Sequence, residues 1–262
     1  MSEPVNGTAS PVSYREMGSG VAVIEICRPE VHNALDREAQ QRFAEYLDAA
    51  NENPAIGALV LAGAGGKALS AGWDINEMLS LSAEENVRLL LEREEWLWRW
   101  YASPVPTVAA MRGMAYGVGA LLSACADLRV GGPGTRFKVT GMTYGYANLT
   151  WLLPDLVGTS RAKQILLTGG VLEGARAAEF GLLNEYVADE AILDAAVAAA
   201  ARVAALPPVG VRNAKRLMRE GIGRDARARY DAECLLERAG LAARSAADVF
   251  TSFIDRKADR AR

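Results

Sequence analysis

Two glycine-containing loops carry the chemistry that the sequence offers most directly. In LSAGWDINEM (69–78), small residues at 70–72 let another group approach the backbone, and the chain then turns into a short helix that begins near Trp73. YGVGALL (116–122) opens a second helix in the same way, and unpaired N–H groups at a helix start attract an anionic oxygen. Each loop alone is an ordinary strand-to-helix turn. Together they could direct two N–H donors at one carbonyl oxygen, which predicts an oxyanion hole.

No acid or base accompanies the second loop. After Arg112 the first charged residue is Asp127, and no carboxylate lies between Asp127 and Asp155. Tyr116, Tyr144 and Tyr146 lie on or near this stretch, and we take Tyr144 as the candidate for a neutral acid or an orienting group. For each tyrosine the alternative is packing or lining of a pocket.

Other functional motifs fail on their spacing. GAGGKALS (63–70) lacks the first glycine of a phosphate-binding loop, and Ala68 replaces the hydroxyl residue that would bind Mg²⁺. The second loop misses the dinucleotide fingerprint because Leu122 stands at its third glycine position. His32 is the single histidine, which leaves little for a catalytic triad or a metal site. It is either a surface loop residue or a contact at the edge of a ligand.

Short apolar strands and capped helices alternate up to about residue 158, which predicts an α/β core. Asp36 is a candidate N-cap, and Ser82 with Glu85 forms a capping box. We expect strands at 21–26, 56–63, 104–111 and 127–132 and helices at 37–51 and 82–101. On the second helix we expect one apolar side made of Val87, Leu90, Leu91, Leu97 and Trp98. Trp96, Trp98 and Trp100 cannot share one face, so they cannot all cover an acyl pocket.

Composition excludes several classes of protein. The 262 residues carry a formal net charge of -3 without a basic stripe, so we expect neither nucleic acid nor a membrane surface as a partner. Three widely spaced cysteines indicate a reducing compartment. With no secretory pattern at the N-terminus, we expect a cytoplasmic protein. Residues 1–12 are small and polar, which predicts a flexible tail.

Five stretches together resemble one known family. CRPEVHNAL, GKALSAGWDINEM and SPVPTVAAMRGMAYGVGALLSACADLRV follow one another with the spacing of the crotonase, or enoyl-CoA hydratase/isomerase, superfamily. LLTGGVLEGARAAEFGLLNEYV and SFIDRK are similar to its later parts. The resemblance covers nearly the whole chain.

This resemblance implies a fold, an assembly and a ligand. The fold would be a crotonase/ClpP-like spiral of ββα repeats over residues 13–200, with two nearly perpendicular sheets. A helical C-terminal region, residues 201–262, would pack homotrimers, often paired as homohexamers. The ligand would be an acyl-CoA thioester, with coenzyme A as part of the substrate and no separate cofactor or metal. The oxyanion donors would be the backbone N–H groups of Trp73 and Val118.

The resemblance also assigns substrate-binding positions. The loop 28–34 would follow the adenine and ribose of coenzyme A, and residues 71–75 would follow the pantetheine and thioester. The substrate-binding residues implied are Val31, His32, Ala34, Ala71, Gly72, Asp74, Ile75, Gly117, Leu121 and Gly141.

Departures from the family pattern restrict the reactions that we expect of this protein. Hydratases of this family place two glutamates around one water, and here Leu121 and Gly141 stand at those positions. Neither residue can act as a general acid or base. We therefore expect isomerisation, decarboxylation, or hydrolysis of a C–C or thioester bond in place of two-glutamate hydration. The alternative is a catalytically vestigial CoA-binding protein that serves as a structural subunit.

Overall fold

The computed structural model describes residues 10–242 and 251. Nine residues of the expected tail and the SFIDRK stretch lie outside this part of the chain. Val12 begins the first strand and is fully buried, so the described fold starts before the expected boundary at residue 13. The chain divides into two compact units, residues 1–208 and 209–262, somewhat later than the boundary expected at residue 200.

Strands within the described residues form two sheets. Their bounds are β1 Val12–Gly18, β2 Val21–Ile26, β3 Ala58–Gly63, β4 Ala68–Ser70, β5 Thr107–Met111, β6 Met114–Tyr116, β7 Leu128–Gly131, β8 Arg136–Lys138, β9 Leu172–Glu173 and β10 Glu185–Tyr186. The larger sheet has the order β1-β2-β3-β5-β7-β10, and the smaller has the order β4-β6-β8-β9. Apart from the β1–β2 and β8–β9 pairs, neighbouring strands are parallel.

Helices follow the strands along the chain. Their bounds are α1 Arg37–Glu52, α2 Ile75–Ser80, α3 Ala83–Ala102, α4 Val118–Cys125, α5 Leu153–Val157, α6 Thr159–Thr168, α7 Gly174–Glu179, α8 Ile192–Ala204, α9 Pro208–Glu220 and α10 Ala226–Ala242. No single helix in the described ranges has the length and apolar character needed to cross a membrane; the bent pair Asp189–Ala204 and Pro208–Glu220 meets that test only when taken together.

The order of elements repeats. A strand of the larger sheet is followed by a strand of the smaller sheet and then by a helix, as in β3-β4-α2-α3 and β5-β6-α4. This alternation confirms the predicted α/β class and the ββα repeat. The carboxyl ends of β4 and β6 therefore lie at the same end of the smaller sheet, and each strand leads into a helix.

Both faces of the larger sheet are buried. Ile24, Leu59 and Met111 belong to one apolar cluster, and Val23 and Val60 belong to a second cluster that includes residues of α8. Strands covered on both faces are apolar at successive positions, which explains the continuous runs VAVIEI and ALVLAG. The predicted bounds of β2 are confirmed, and β3 begins two residues later than predicted.

The capping predictions are confirmed. The Asp36 side chain accepts a hydrogen bond from the Ala39 N–H at 2.8 Å. The Glu85 N–H donates to Ser82 Oγ at 3.2 Å, and the Ser82 N–H donates to the Glu85 carboxylate at 2.8 Å. These caps set where α1 and α3 begin, and α3 carries side chains that matter for the candidate site.

The predicted buried face of α3 is wrong. Val87, Leu91 and Trp98 are 58%, 60% and 52% exposed. The residues that α3 buries are Leu89, Arg93, Trp96 and Trp100. The rings of Trp96 and Trp100 pack edge-on against Phe43 of α1, with centroids 5.1 and 5.4 Å away. Arg93 lies at the centre of this buried face. Because a cation interrupts the apolar pattern there, the hydrophobic periodicity of the sequence does not predict the face.

Close packing of α4 on β4 generates a stability prediction. An added Cβ at Gly119 would lie 2.4 Å from the Ser70 carbonyl oxygen. Alanine favours a helix over glycine by up to about 1 kcal/mol, but overpacking costs about 1–3 kcal/mol. We expect Gly119→Ala to lower the free energy of unfolding, measured by urea denaturation. Gly210→Ala in α9, where an added Cβ meets nothing within 4 Å, is the matched control and should not destabilise. Equal stability of Gly119→Ala and the unmutated protein would contradict this packing.

Candidate functional site

The two glycine-containing loops meet at the end of the smaller sheet. They follow β4 and β6, which are neighbouring parallel strands. Gly72 has φ 128° and Gly117 has φ 51°, values that side chains disfavour. An added Cβ at Gly117 would lie 3.2 Å from the Gly72 Cα and 2.9 Å from Thr140 Oγ1. The backbones of the two loops therefore approach each other directly.

Backbone N–H groups of Trp73 and Val118 follow these glycines. The Leu35 N–H donates to the Gly72 carbonyl at 2.8 Å, and the Asp74 N–H donates to the Leu35 carbonyl at 2.8 Å. In a parallel bridge the residue between such bonds directs its own N–H the other way, here Trp73. Val118 is the first residue of α4, where an N–H has no partner inside the helix. Among the described residues, no backbone carbonyl accepts either N–H.

The segment 28–36 lies along the first loop. The Ala71 N–H donates to the His32 carbonyl at 2.9 Å. The Arg28 guanidinium bonds the Ala34 carbonyl at 2.6 Å and forms ion pairs with Asp36 at 2.9 Å and Asp74 at 3.2 Å. The structure thus brings the predicted substrate-binding residues of 31–34 next to those of 71–75.

Asn33 is a residue of this segment that sequence reasoning missed. Its side chain is fully buried and donates to the carbonyls of Ala64 and Ala68 at 2.9 and 2.8 Å. It also accepts from the Arg28 N–H at 2.9 Å. These bonds hold His32 and Asn33 at φ 52° and 57°. The available signal was the asparagine itself, which tolerates left-handed backbone better than most residues.

A buried cation fixes the side chain of Trp73. The Arg93 guanidinium lies over the Trp73 ring at 3.9 Å and pairs with Glu77 at 2.8 Å. Arg93 is only 5% exposed, and burial lowers the pKa of its guanidinium while Glu77 opposes that change. The Trp96 ring is 5.6 Å from Trp73 on the same side. Packing around the indole therefore couples the first loop to α3.

Leu121 lies one turn into α4 and lines a cavity of about 390 Å³. The side chains around this cavity are mostly apolar or aromatic, and they are Glu94, Leu97, Trp98, Leu121, Ala147, Asn148, Leu149 and Trp151. Trp98 and Tyr101 pack against Trp151, with ring centroids 6.2 and 4.8 Å away. Of the three tryptophans of α3, Trp98 therefore faces the cavity while Trp96 and Trp100 are buried. Their predicted division between faces is confirmed.

The amide of Asn148 fills the space that a side chain at position 141 would need. An added Cβ there would lie 1.9 Å from Asn148 Oδ1. The Tyr146 N–H donates to the Gly141 carbonyl at 2.9 Å and closes the turn 141–146, two residues before Asn148. A glutamate at position 141 would therefore have to displace the amide of Asn148 from the space that it occupies.

The predicted acid, Tyr144, is not brought to the cavity. It lies on the turn Thr140–Tyr144 and is 68% exposed, and Tyr146 is 66% exposed. Neither tyrosine is among the residues that line the cavity. The structure brings together the loops 31–34, 71–75 and 117–121, and Tyr144 is exposed on the turn whose first residue, Thr140, adjoins Gly117.

Comparison with known proteins gives one consistent result. Residues 16–258 match the family model of enoyl-CoA hydratase/isomerase. A crotonyl-CoA hydratase from Syntrophomonas wolfei is 32% identical over 209 residues, which cover 78% of this chain and 80% of that protein. The crystal structure of an enoyl-CoA hydratase from Bacillus anthracis has a TM-score of 0.88 at 25% identity, over 94% of this chain and 96% of that chain. One from Mycobacterium smegmatis has a TM-score of 0.85 at 27% identity, with the same coverage.

The buried cation beside Trp73 generates a second stability prediction. Arg93→Met leaves Glu77 without its cation and Trp73 without its charged neighbour. Breaking a fully buried pair costs about 3–5 kcal/mol, and partial exposure of Glu77 should reduce this to about 1–3 kcal/mol. Urea denaturation measures the change.

The control is Arg88→Met on the same helix, which breaks the exposed pair with Glu84. Its effect should stay within about 0.5 kcal/mol. Equal effects of the two substitutions would show that Arg93 does not stabilise the loop beneath it.

Proposed function

Since the chain belongs to the enoyl-CoA hydratase/isomerase family, we propose that it binds an acyl-CoA thioester and stabilises the enolate of that thioester. The observation that carries this proposal is the direct approach of the Gly72 and Gly117 backbones, each followed by an N–H without a backbone acceptor in the described chain. The donors would be the N–H groups of Trp73 and Val118. The relatives with solved structures also confirm the crotonase fold that the sequence predicted.

Two preorganised donors suit this chemistry. Removing a proton next to a thioester carbonyl moves negative charge onto the carbonyl oxygen. Main-chain N–H groups held by flanking hydrogen bonds stabilise that charge without reorganising as it appears. Val118 also lies at the start of α4, where the aligned peptide dipoles favour an anion.

Hydrogen bonds between segments 28–36 and 71–74 support a binding role for both. They would form one continuous wall along the coenzyme A part of the substrate, with Val31, His32 and Ala34 on one segment. Asp74 caps α2 by accepting from the Asn76 N–H at 3.0 Å. Its proposed contribution is to fix the chain beside the thioester. No cofactor beyond coenzyme A is required by this proposal.

The cavity beside α4 favours chemistry without an activated water. Leu121 is apolar, and Asn148 fills the place of a side chain at Gly141. Two-glutamate hydration has neither of its acids at these positions. Isomerisation and decarboxylation fit best, because each can proceed through an enolate without an activated water. Hydrolysis of a C–C or thioester bond would need a water activated by a residue at another position.

Assembly and location belong to the same proposal. We infer a homotrimer or homohexamer in the cytoplasm. Supporting it, α2 and α3 present apolar side chains such as Leu79, 79% exposed, and Leu91, 60% exposed. Apolar surface of this kind commonly marks contact with another molecule.

Removing one donor tests the oxyanion role. Val118→Pro deletes the N–H at the first position of α4, where proline is tolerated by a helix. Loss of one such donor lowers kcat by about 100- to 1,000-fold. Solvent deuterium uptake at the α-carbon of butyryl-CoA, followed by mass spectrometry, measures the effect.

Val118→Ala is the matched control, because it removes the side chain and keeps the N–H. Its exchange rate should remain close to that of the unmutated protein. Equal rates for Val118→Pro and Val118→Ala would rule out this N–H as a donor.

Crotonyl-CoA separates this proposal from ordinary hydration. We expect the protein to bind crotonyl-CoA without hydrating it above the rate seen with Val118→Pro, while butyryl-CoA exchanges its α-proton with solvent. Loss of the enoyl absorbance and deuterium uptake are the two measurements. Rapid hydration would contradict the loss of the glutamates, and binding with neither product nor exchange would identify a vestigial CoA-binding subunit.

A further inference from the structure

We propose that Glu94 of α3 is the acid/base residue of this site and that it shifts a proton between carbons of the bound acyl group. The inference rests on the proposed function, because it requires the enolate to form at the two N–H donors. It gives the proton-transfer role to a helix that the family pattern does not use for it, and it replaces Tyr144 as the candidate.

The cavity supplies the first argument. Among the residues that line it, Glu94 is the one with an ionisable side chain. Leu121 lines the same cavity, and its N–H donates to the Gly117 carbonyl at 3.0 Å. Leu121 is thus one helical turn from the proposed donor Val118. Glu94 therefore lines a cavity that reaches α4 one helical turn from a proposed donor, and we place the acyl carbons of a bound thioester in that cavity.

The attachment of α3 supplies the second argument. Directly before Glu94, Arg93 lies over the Trp73 ring and pairs with Glu77. Further along α3, the indole N–H of Trp100 donates to the Leu122 carbonyl of α4 at 2.9 Å. The helix is therefore fastened both to the loop of the first donor and to the helix of the second. Glu94 lies between these two attachments.

The state of the carboxylate supplies the third argument. Neighbouring acids of this region are engaged, since Glu92 pairs with Arg37 at 2.7 Å and Glu77 pairs with Arg93. Within residues 10–242 and 251, no cation forms an ion pair with Glu94. Asn148 lines the same cavity and offers a neutral amide that can donate to a carboxylate or to the substrate. Glu94 is therefore free to accept a proton.

The step is balanced without any further reactant. The Glu94 carboxylate takes a proton from the α-carbon of a 3-enoyl thioester, and the electron pair of that C–H bond forms the enolate double bond. The carbonyl π electrons move onto the oxygen, which the N–H groups of Trp73 and Val118 stabilise. Return of the proton to the γ-carbon moves the double bond into conjugation with the carbonyl and regenerates the carboxylate. The reaction class is therefore double-bond isomerisation, which consumes no water and no oxidant.

Glu94→Gln tests this role against Glu95→Gln, because the two adjacent acids are both exposed to solvent and Glu94 alone of the two lines the cavity. Vinylacetyl-CoA is the probe for isomerisation, crotonyl-CoA is its product, and butyryl-CoA reports α-proton exchange. General acid–base catalysis contributes about 100- to 10,000-fold. We expect Glu94→Gln to lose at least about 100-fold in both reactions, with unchanged binding of butyryl-CoA by calorimetry. Glu95→Gln should keep the rates of the unmutated protein.

A pH profile adds a readout that a merely structural role would not change. The rate of the unmutated protein should depend on pH, and Glu94→Gln should lose that dependence. Exchange that persists in Glu94→Gln would overturn the role of Glu94 and leave the enolate proposal standing. An unmutated protein that binds butyryl-CoA but catalyses neither reaction would overturn both.

Discussion

The approach of two glycine backbones constrains the rest of this site. Neighbouring strands lie about 4.8 Å apart, so the loops that leave β4 and β6 can converge only if neither carries a side chain at the crossing. Gly72 and Gly117 meet that condition. Two residues after Gly117, Gly119 allows the same close approach to the backbone of Ser70. The start of α4 is consequently held against the end of β4. The two loops are brought together by backbone packing alone.

A buried guanidinium extends this constraint to α3. Removing Arg93 from water carries a desolvation penalty of several kcal/mol, which the Glu77 carboxylate and the face of the Trp73 ring offset. One tryptophan thereby serves two purposes, with its backbone at the loop and its indole against the cation. A displacement of α3 would therefore disturb the first loop. The same contacts fix the position of α3 beside the cavity that it lines.

Local signals explain what the sequence could predict. The caps at Asp36 and Ser82, the apolar run of β2 and the glycines of the loops are readable over a few neighbouring residues. The α/β class and the family follow from their order along the chain.

Tertiary contacts explain what the sequence could not predict. The sequence predicts Arg93 as a solvent-facing residue of a charged helix. Its burial depends on Glu77 and Trp73, which belong to other parts of the chain. Glu94 is equally ordinary in sequence, because its cavity is built from α3, α4 and the turn near Asn148. A carboxylate on a charged helix gives no local indication that it will line a cavity with residues of other elements.

Under the proposed function, the backbone groups that would polarise the thioester are separate from the side chain that would transfer the proton. Val118 and Trp73 would donate through main-chain atoms, so replacement of surrounding side chains leaves the donors in place. Leu121 and Asn148 line the cavity without a carboxylate, while α3 contributes Glu94 to the same lining. Apolar neighbours such as Leu149 and Trp151 disfavour an ordered water and favour direct proton transfer between carbons. Under the proposed function, Glu94 on α3 would therefore transfer the proton while the peptide groups of Trp73 and Val118 polarise the thioester.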